Sequence, residues 1–126
     1  MSPKRILVID DEPDVVMTLA MRLKVNGYEI ISAADGEEGL EKAKSGNPDL
    51  IICDWVLPKL DGCEVCKRLK QDPAYSKIPI ILCTAKAEEK DKDLAKESGA
   101  EAYVTKPYDA KNLLSIMRDL IEKSAS

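Results

Sequence analysis

The sequence predicts an α/β fold: a doubly wound parallel sheet of five strands with five helices. Three observations lead there. Five short apolar runs alternate with five stretches of helical periodicity. The connections between them are short and rich in Gly, Pro, Asn and Asp, which implies βαβ units with right-handed crossovers. The run Leu50-Ile-Ile-Cys53 is apolar without a break and stops at Asp54, as expected of a strand buried on both faces.

Arg5-Ile-Leu-Val-Ile-Asp10 is the first strand, ending in the acidic pair Asp10-Asp11. Pro13 suits the first turn of a helix, where its missing donor would be unpaired anyway. Val16, Leu19, Ala20 and Leu23 place that helix over roughly residues 13–25, and Asn26-Gly27 stops it. Tyr28–Ala33 is a second strand, less apolar and therefore expected at a sheet edge. Asp35-Gly36 opens a second helix with Leu40 and Ala43 on its core side, and Gly46-Asn-Pro48 ends it. After the third strand and a loop containing Pro58, Val65, Cys66 and Leu69 mark a third helix that ends before Asp72-Pro73.

Ile78–Thr84 is the fourth strand, with Pro79 at its start, where a lost donor is tolerable. Residues 88–98 are charged nearly all round. Only Leu94 and Ala95 are available to a core, so a weakly anchored helix is expected there. Gly99 caps it. Ala102–Thr105 is the fifth strand, followed by Lys106-Pro107. Asp109 begins the last helix, whose core face carries Leu113, Met117, Leu120 and Ile121.

The 126 residues suit one domain with one core. Apolar residues make up 44%, charged residues 33%, and the net charge is −4, a soluble balance without a basic stripe for nucleic acid. No apolar run approaches the roughly 20 residues of a membrane span. Met1-Ser-Pro-Lys-Arg5 runs straight into a strand, so no signal peptide is expected and the chain is read as cytoplasmic. Cys53 and Cys83 lie in apolar strands and behave as small hydrophobes. Cys63 and Cys66 form a C-x-x-C, but on a helix whose spacing of three also marks a core side. With no histidine in the chain, zinc would lack ligands, and reduced structural cysteines are the reading adopted.

The strand ends carry the chemistry. Asp10-Asp11 end the first strand, Asp54 the third, Thr84 the fourth and Lys106 the fifth. In open α/β sheets, ligands bind at this carboxyl edge. Each residue alone has an ordinary explanation as a loop start or a helix cap, Asp11 above all. Together, three carboxylates repel one another and hinder ionisation, which a divalent cation would relieve. Oxygen ligands of this number suit Mg²⁺. With Lys106 opposite, the site can receive a phosphoryl group, with Asp54 as nucleophile.

At this point the chain resembles the receiver domain of two-component response regulators, including the single-domain chemotaxis regulator. The matching pieces are Leu7-Val-Ile-Asp-Asp11, Leu50-Ile-Ile-Cys-Asp54 with Leu57-Pro58 and Asp61-Gly62, Ile78-Pro-Ile-Ile-Leu-Cys-Thr-Ala85, and Ala102-Tyr-Val-Thr-Lys-Pro107. They cover essentially the whole chain, in family order. The resemblance implies the flavodoxin-like strand order 2-1-3-4-5. It implies that Asp54 accepts phosphate from a sensor histidine kinase or a histidine phosphotransfer protein. Mg²⁺ would be held by Asp10, Asp11, Asp54 and the main-chain carbonyl of Val56. Thr84 and Lys106 would bind phosphate oxygens, and Tyr103 would be the switch aromatic, the alternative being an ordinary tyrosine at the rim of the core. A cis bond is implied before Pro107. Val56 and Lys86 would tune loss of phosphate to water. Val56 has no polar group to orient water, so a long-lived phosphorylated state is expected.

The output surface would be formed by residues 88–123, acting on a downstream effector or effector domain, with phosphorylation-driven homodimers as a further expectation. A haloacid-dehalogenase-like phosphatase is the main alternative, but its first-strand acid pattern does not fit Asp10-Asp11-Glu12. A flavodoxin-like cofactor binder would need a phosphate loop after the first strand. A degenerate receiver used only for docking would not need the intact Asp54, Thr84 and Lys106.

Overall fold

The strands that read as unbroken apolar runs occupy the middle of the sheet. In the computed structural model, which describes residues 3–84, 89–106 and 109–125, the order is β2-β1-β3-β4-β5 with every pair parallel. The strands are β1 (Arg5–Ile9), β2 (Glu29–Ala33), β3 (Leu50–Asp54), β4 (Ile80–Thr84) and β5 (Ala102–Thr105). The residues of β3 up to Cys53 and all of β4 are buried, whereas β2 exposes Glu29 and Ser32 at one edge. The strands alternate between two cores, because successive side chains point to opposite faces. Ile6, Val8, Leu50, Ile52, Ile81 and Cys83 face one; Leu7, Ile9, Ile51, Cys53, Ile80 and Leu82 face the other.

Two helices cover the first face: α1 (Pro13–Val25) through Leu19 and Leu23, and α5 (Ala110–Ala125) through Leu113, Met117 and Ile121. The second face is covered by α2 (Gly36–Ser45) through Ala43 and by α3 (Gly62–Gln71) through Val65, Cys66 and Leu69. Acidic caps start α2 and α3. The Asp35 carboxylate accepts from the Glu38 amide at 2.8 Å, and that of Asp61 from the Glu64 amide at 2.9 Å. Each satisfies a first-turn donor that the helix cannot, a contribution of about 1 kcal/mol. The left-handed turn after α1 falls on Gly27, with φ of 90°.

One core assignment is corrected. Leu94, on α4 (Glu89–Ser98), is 46% exposed rather than buried. Ser98 lies one turn further along the same face and is only 2% exposed. The helix is therefore covered at Ser98, in its last turn, and exposed at Leu94, one turn earlier. Ala95 also belongs to that expected contact, but its side chain lies outside the described residues. Among the described residues, no helix is long and apolar enough to cross a membrane.

Candidate functional site

The carboxyl ends of β1, β3 and β4, with Lys106 just past β5, bring the sequence-predicted charges together. Asp10 follows β1 and is buried. Its Oδ1 accepts from the Glu12 amide at 3.0 Å, a short turn that fixes the carboxyl group. Its Oδ2 accepts from Lys106 Nζ at 3.1 Å. Asp54 closes β3 with a side chain 12% exposed, and its Oδ2 lies 3.2 Å from the same ammonium. Lys106 is held from below, because its amide donates to the Thr84 carbonyl at 2.6 Å. Thr84 is buried at the end of β4.

The acidic cluster is larger than expected. One carboxylate oxygen from each of Asp10, Asp11, Glu12 and Asp54 fits within a mutual distance of 4.8 Å. Glu12 was not among the predicted ligands. Its signal was its place next to the acidic pair, at the N-cap of α1, where its side chain caps nothing.

A single lysine is shared by Asp10 and Asp54, and the electrostatics follow from that. Burial raises the pKa of Asp54 most; Lys106 pulls it down, while Asp10 and Asp11 push it up again, and the balance lies above the ordinary carboxylate value. Burial works against the charge on Lys106, but the bond to Asp10 and the charge of Asp54 outweigh it and hold its pKa above the usual lysine value. Among the described residues, the site thus has surplus negative charge and only oxygen donors on its acidic side. That chemistry fits a hard dication. Opposite ligands of octahedral Mg²⁺ are about 4.2 Å apart, close to the spread of these oxygens. Asp10, Asp11 and Asp54 are the residues that would hold it, with Glu12 beside them.

Val56 lies in the loop after Asp54, with a side chain 79% exposed. The loop is fastened at both ends: the Trp55 amide donates to Cys83 at 2.9 Å, and the Gly62 amide to the Trp55 carbonyl at 2.8 Å. Tyr103 is half-buried on β5, against the core on the α2–α3 side. Lys86 and Pro107, and with Pro107 the cis bond, lie outside the described residues. The four cysteines are free. Burial is the main cause that pushes their thiols up, to about 11 for Cys63 and about 12 for Cys83. Thiols so raised hold almost no thiolate at neutral pH and make poor nucleophiles or metal ligands.

Comparison with known proteins shows the family. Residues 6–118 match the response regulator receiver domain, and the chain belongs to that family. It is 46% identical over 121 residues to the alkaline phosphatase synthesis transcriptional regulatory protein PhoP of Bacillus subtilis, covering 96% of this chain and 50% of that one. It is 39% identical over 120 residues to the DNA-binding dual master transcriptional regulator RpaA of Synechocystis sp., covering 95% and 50%. The chain spans about half the length of the curated relatives it matches. Among solved structures, the chemotaxis protein CheY4 of Vibrio cholerae superposes with a TM-score of 0.87 at 30% identity, covering 94% of this chain and 98% of that one. The chain is thus a receiver domain of two-component response regulators, a regulatory class whose general function is a phosphorylation-dependent switch.

Proposed function

We propose that Asp54 accepts the phosphoryl group and that residues 1–126 act as one receiver domain. The observation that carries this is the Lys106 ammonium, 3.2 Å from Asp54 and 3.1 Å from Asp10 at the same sheet edge. A carboxylate oxygen of Asp54 attacks the phosphorus of a phosphohistidine; the P–O bond forms as the P–N bond breaks, and the imidazole leaves with the electron pair. These 126 residues hold no histidine, so the phosphohistidine lies outside them, on a sensor histidine kinase or histidine phosphotransfer protein. The raised pKa of Asp54 makes it the more basic nucleophile. Lys106, held charged, faces one phosphoryl oxygen, and the Thr84 hydroxyl serves another. Mg²⁺, when bound by Asp10, Asp11, Asp54 and the Val56 carbonyl, supplies neutralisation of charge on the transferring group.

After transfer, Lys106 exchanges a carboxylate oxygen for a phosphoryl oxygen, and Thr84 gains a partner. Both changes reach the elements that follow them: α4, whose Leu94 is already outside the core, and β5 with Tyr103. The output surface is then formed by residues 88–123 and acts on an effector or effector domain, as a monomer or a phosphorylation-dependent homodimer. The apolar, exposed Val56 side chain offers no polar group to a water beside Asp54, which favours a long-lived phosphorylated state in a cytoplasmic signalling protein.

Mass spectrometry after incubation with a phosphoryl donor and Mg²⁺ tests the acceptor. One phosphoryl group is expected on Asp54 and none in Asp54→Ala; modification persisting in that variant sinks the assignment. In the same assay, Val56→Asn is expected to shorten the lifetime of the phosphorylated form.

A further inference from the structure

The start of α2 and the loop after Asp54 approach more closely than a residue with a side chain allows. A Cβ on Gly36 would lie 2.0 Å from the Leu60 carbonyl oxygen and 2.7 Å from the Leu60 Cβ. The nearest of these atoms is backbone, which cannot swing aside as a flexible side chain can. Gly36 is the first residue of α2, where an amide has no partner inside the helix. It donates instead to the Pro58 carbonyl at 3.3 Å. Its neighbour Asp35 caps the helix and also faces Lys59 Nζ at 3.6 Å. Lys59 holds a left-handed φ of 68°, so the loop keeps a shape that most side chains disfavour. Pro58, Lys59 and Leu60 are thereby each tied to α2. The loop's ends are tied at Trp55 and Gly62, and a Cβ on Gly62 would come 2.2 Å from the Asp54 carbonyl oxygen.

We propose that Gly36 is a positioning residue for the Mg²⁺ site: it lets the start of α2 press onto Pro58–Leu60 and so holds the Val56 carbonyl toward the carboxylates. This rests on the reading that Val56 lends its carbonyl to the metal. It adds that α2, which carries no ligand, sets where that carbonyl stands. Gly39, one turn further along α2, is the matched comparison. The nearest atoms a Cβ there would meet all belong to the Ile9 side chain, with Cδ1 at 2.6 Å.

The test is Mg²⁺ titration by calorimetry, with urea unfolding alongside, for the wild type, Gly36→Ala and Gly39→Ala. Gly36→Ala is expected to weaken Mg²⁺ binding on the order of 10–100-fold, the scale of lost supporting contacts at metal sites. Gly39→Ala is expected to lower the urea midpoint and leave Mg²⁺ affinity unchanged. A folded Gly36→Ala that binds Mg²⁺ like the wild type overturns the proposal. Should Gly36→Ala fail to fold, amide exchange in the wild type decides. Mg²⁺ is expected to slow the Gly36 amide together with those of Val56, Leu57, Lys59 and Leu60. Slowing in the loop without Gly36 overturns the proposal. A wild type that binds no Mg²⁺ overturns the metal-site reading itself, which is a different failure.

Discussion

At the amino end of the strands, Lys70 and Arg5 are matched where they stand; at the carboxyl end the described acidic charges outnumber their one cation. Lys70 Nζ donates to the carbonyls of Ser76 and Ile78 at 3.0 and 2.7 Å and to Glu101 Oε2 at 2.6 Å. Glu101 uses its other oxygen to accept from the Ile80 amide at 2.8 Å, at the first residue of β4. Arg5 donates to Glu29 and to the Gly46 carbonyl, and its amide donates to Asp49. Lys70 and Arg5 each have carboxylate and carbonyl partners there. Across the sheet, Lys106 is shared by Asp10 and Asp54, with Asp11 and Glu12 beside them. The amino end is arranged for stability. Among the described residues, the carboxyl end keeps charge uncompensated, and that surplus is what a cation and a phosphoryl group can use. A fold that neutralised both ends would be more stable and would have no reason to bind either.

The comparison breaks most visibly at Lys70, whose side chain is 13% exposed. Lys70→Met keeps the packing of the stem but removes the charged donor from two carbonyls and from Glu101 Oε2. The expected loss is about 2–4 kcal/mol in urea unfolding, because groups that lose a charged partner near the interior keep their desolvation penalty. Mg²⁺ affinity is expected to be unaffected. A loss below about 0.5 kcal/mol, the scale of an ordinary surface change, would mean that the amino end is not the stabilising one.

Mg²⁺ itself gives the next largest effect. At a tenfold excess over its dissociation constant, a ligand bound only by the folded state adds about 1.4 kcal/mol. Unfolding with and without the metal measures this, and Asp11→Asn is expected to shrink the increment.

Much of this contrast was legible in the sequence, and its gaps have physical causes. Asp10, Asp54, Thr84 and Lys106 could be placed because apolar runs stop at them, and parallel strands put their ends on one edge. Leu94 was misplaced because periodicity says which way a side chain faces along a helix, not whether the helix touches anything there; Ser98, on the same face, is covered and Leu94 is not. Gly36 reads in sequence as an ordinary helix start, since its close neighbour Leu60 lies 24 positions on and nothing local announces the contact. Lys70 and Glu101 are separated by 31 positions, so their pairing appears only once α3 and β5 lie near the start of β4.

A smaller effect separates the cost of the site from its use. Asp54→Asn removes a carboxylate whose pKa the fold raises, mainly by burial. Between the ordinary carboxylate pKa and the raised one, the folded wild type binds more protons than the unfolded chain. Its stability therefore falls as pH rises through that window and stays reduced above it. The Asn variant, without Mg²⁺, is expected to be more stable at neutral pH on the order of 1 kcal/mol, the usual gain on relieving a functional site. That gain should fade as pH drops below the ordinary carboxylate range. A gain independent of pH would point to packing rather than charge.

The smallest effect sharpens the amino end itself, where Lys70 and Arg5 are not equal. Arg5 and Glu29 have side chains 39% and 48% exposed, against 13% and 33% for Lys70 and Glu101. Water already solvates the Arg5–Glu29 pair, and salt screens it. Glu29→Gln leaves an oxygen that can still accept from Arg5, so only the charge is lost. The expected change is below about 0.5 kcal/mol and vanishes in high salt. Urea unfolding of Glu29→Gln and Glu101→Gln at low and high salt makes the comparison. The Glu101 change is expected to be larger and to survive salt, because Lys70 would keep its charge in a covered place with a weaker partner. Equal, salt-sensitive losses at the two positions would show that burial does not set the rank of these pairs. The stability of the amino end would then lie in its backbone bonds, such as that from the Asp49 amide to the Arg5 carbonyl at 2.7 Å.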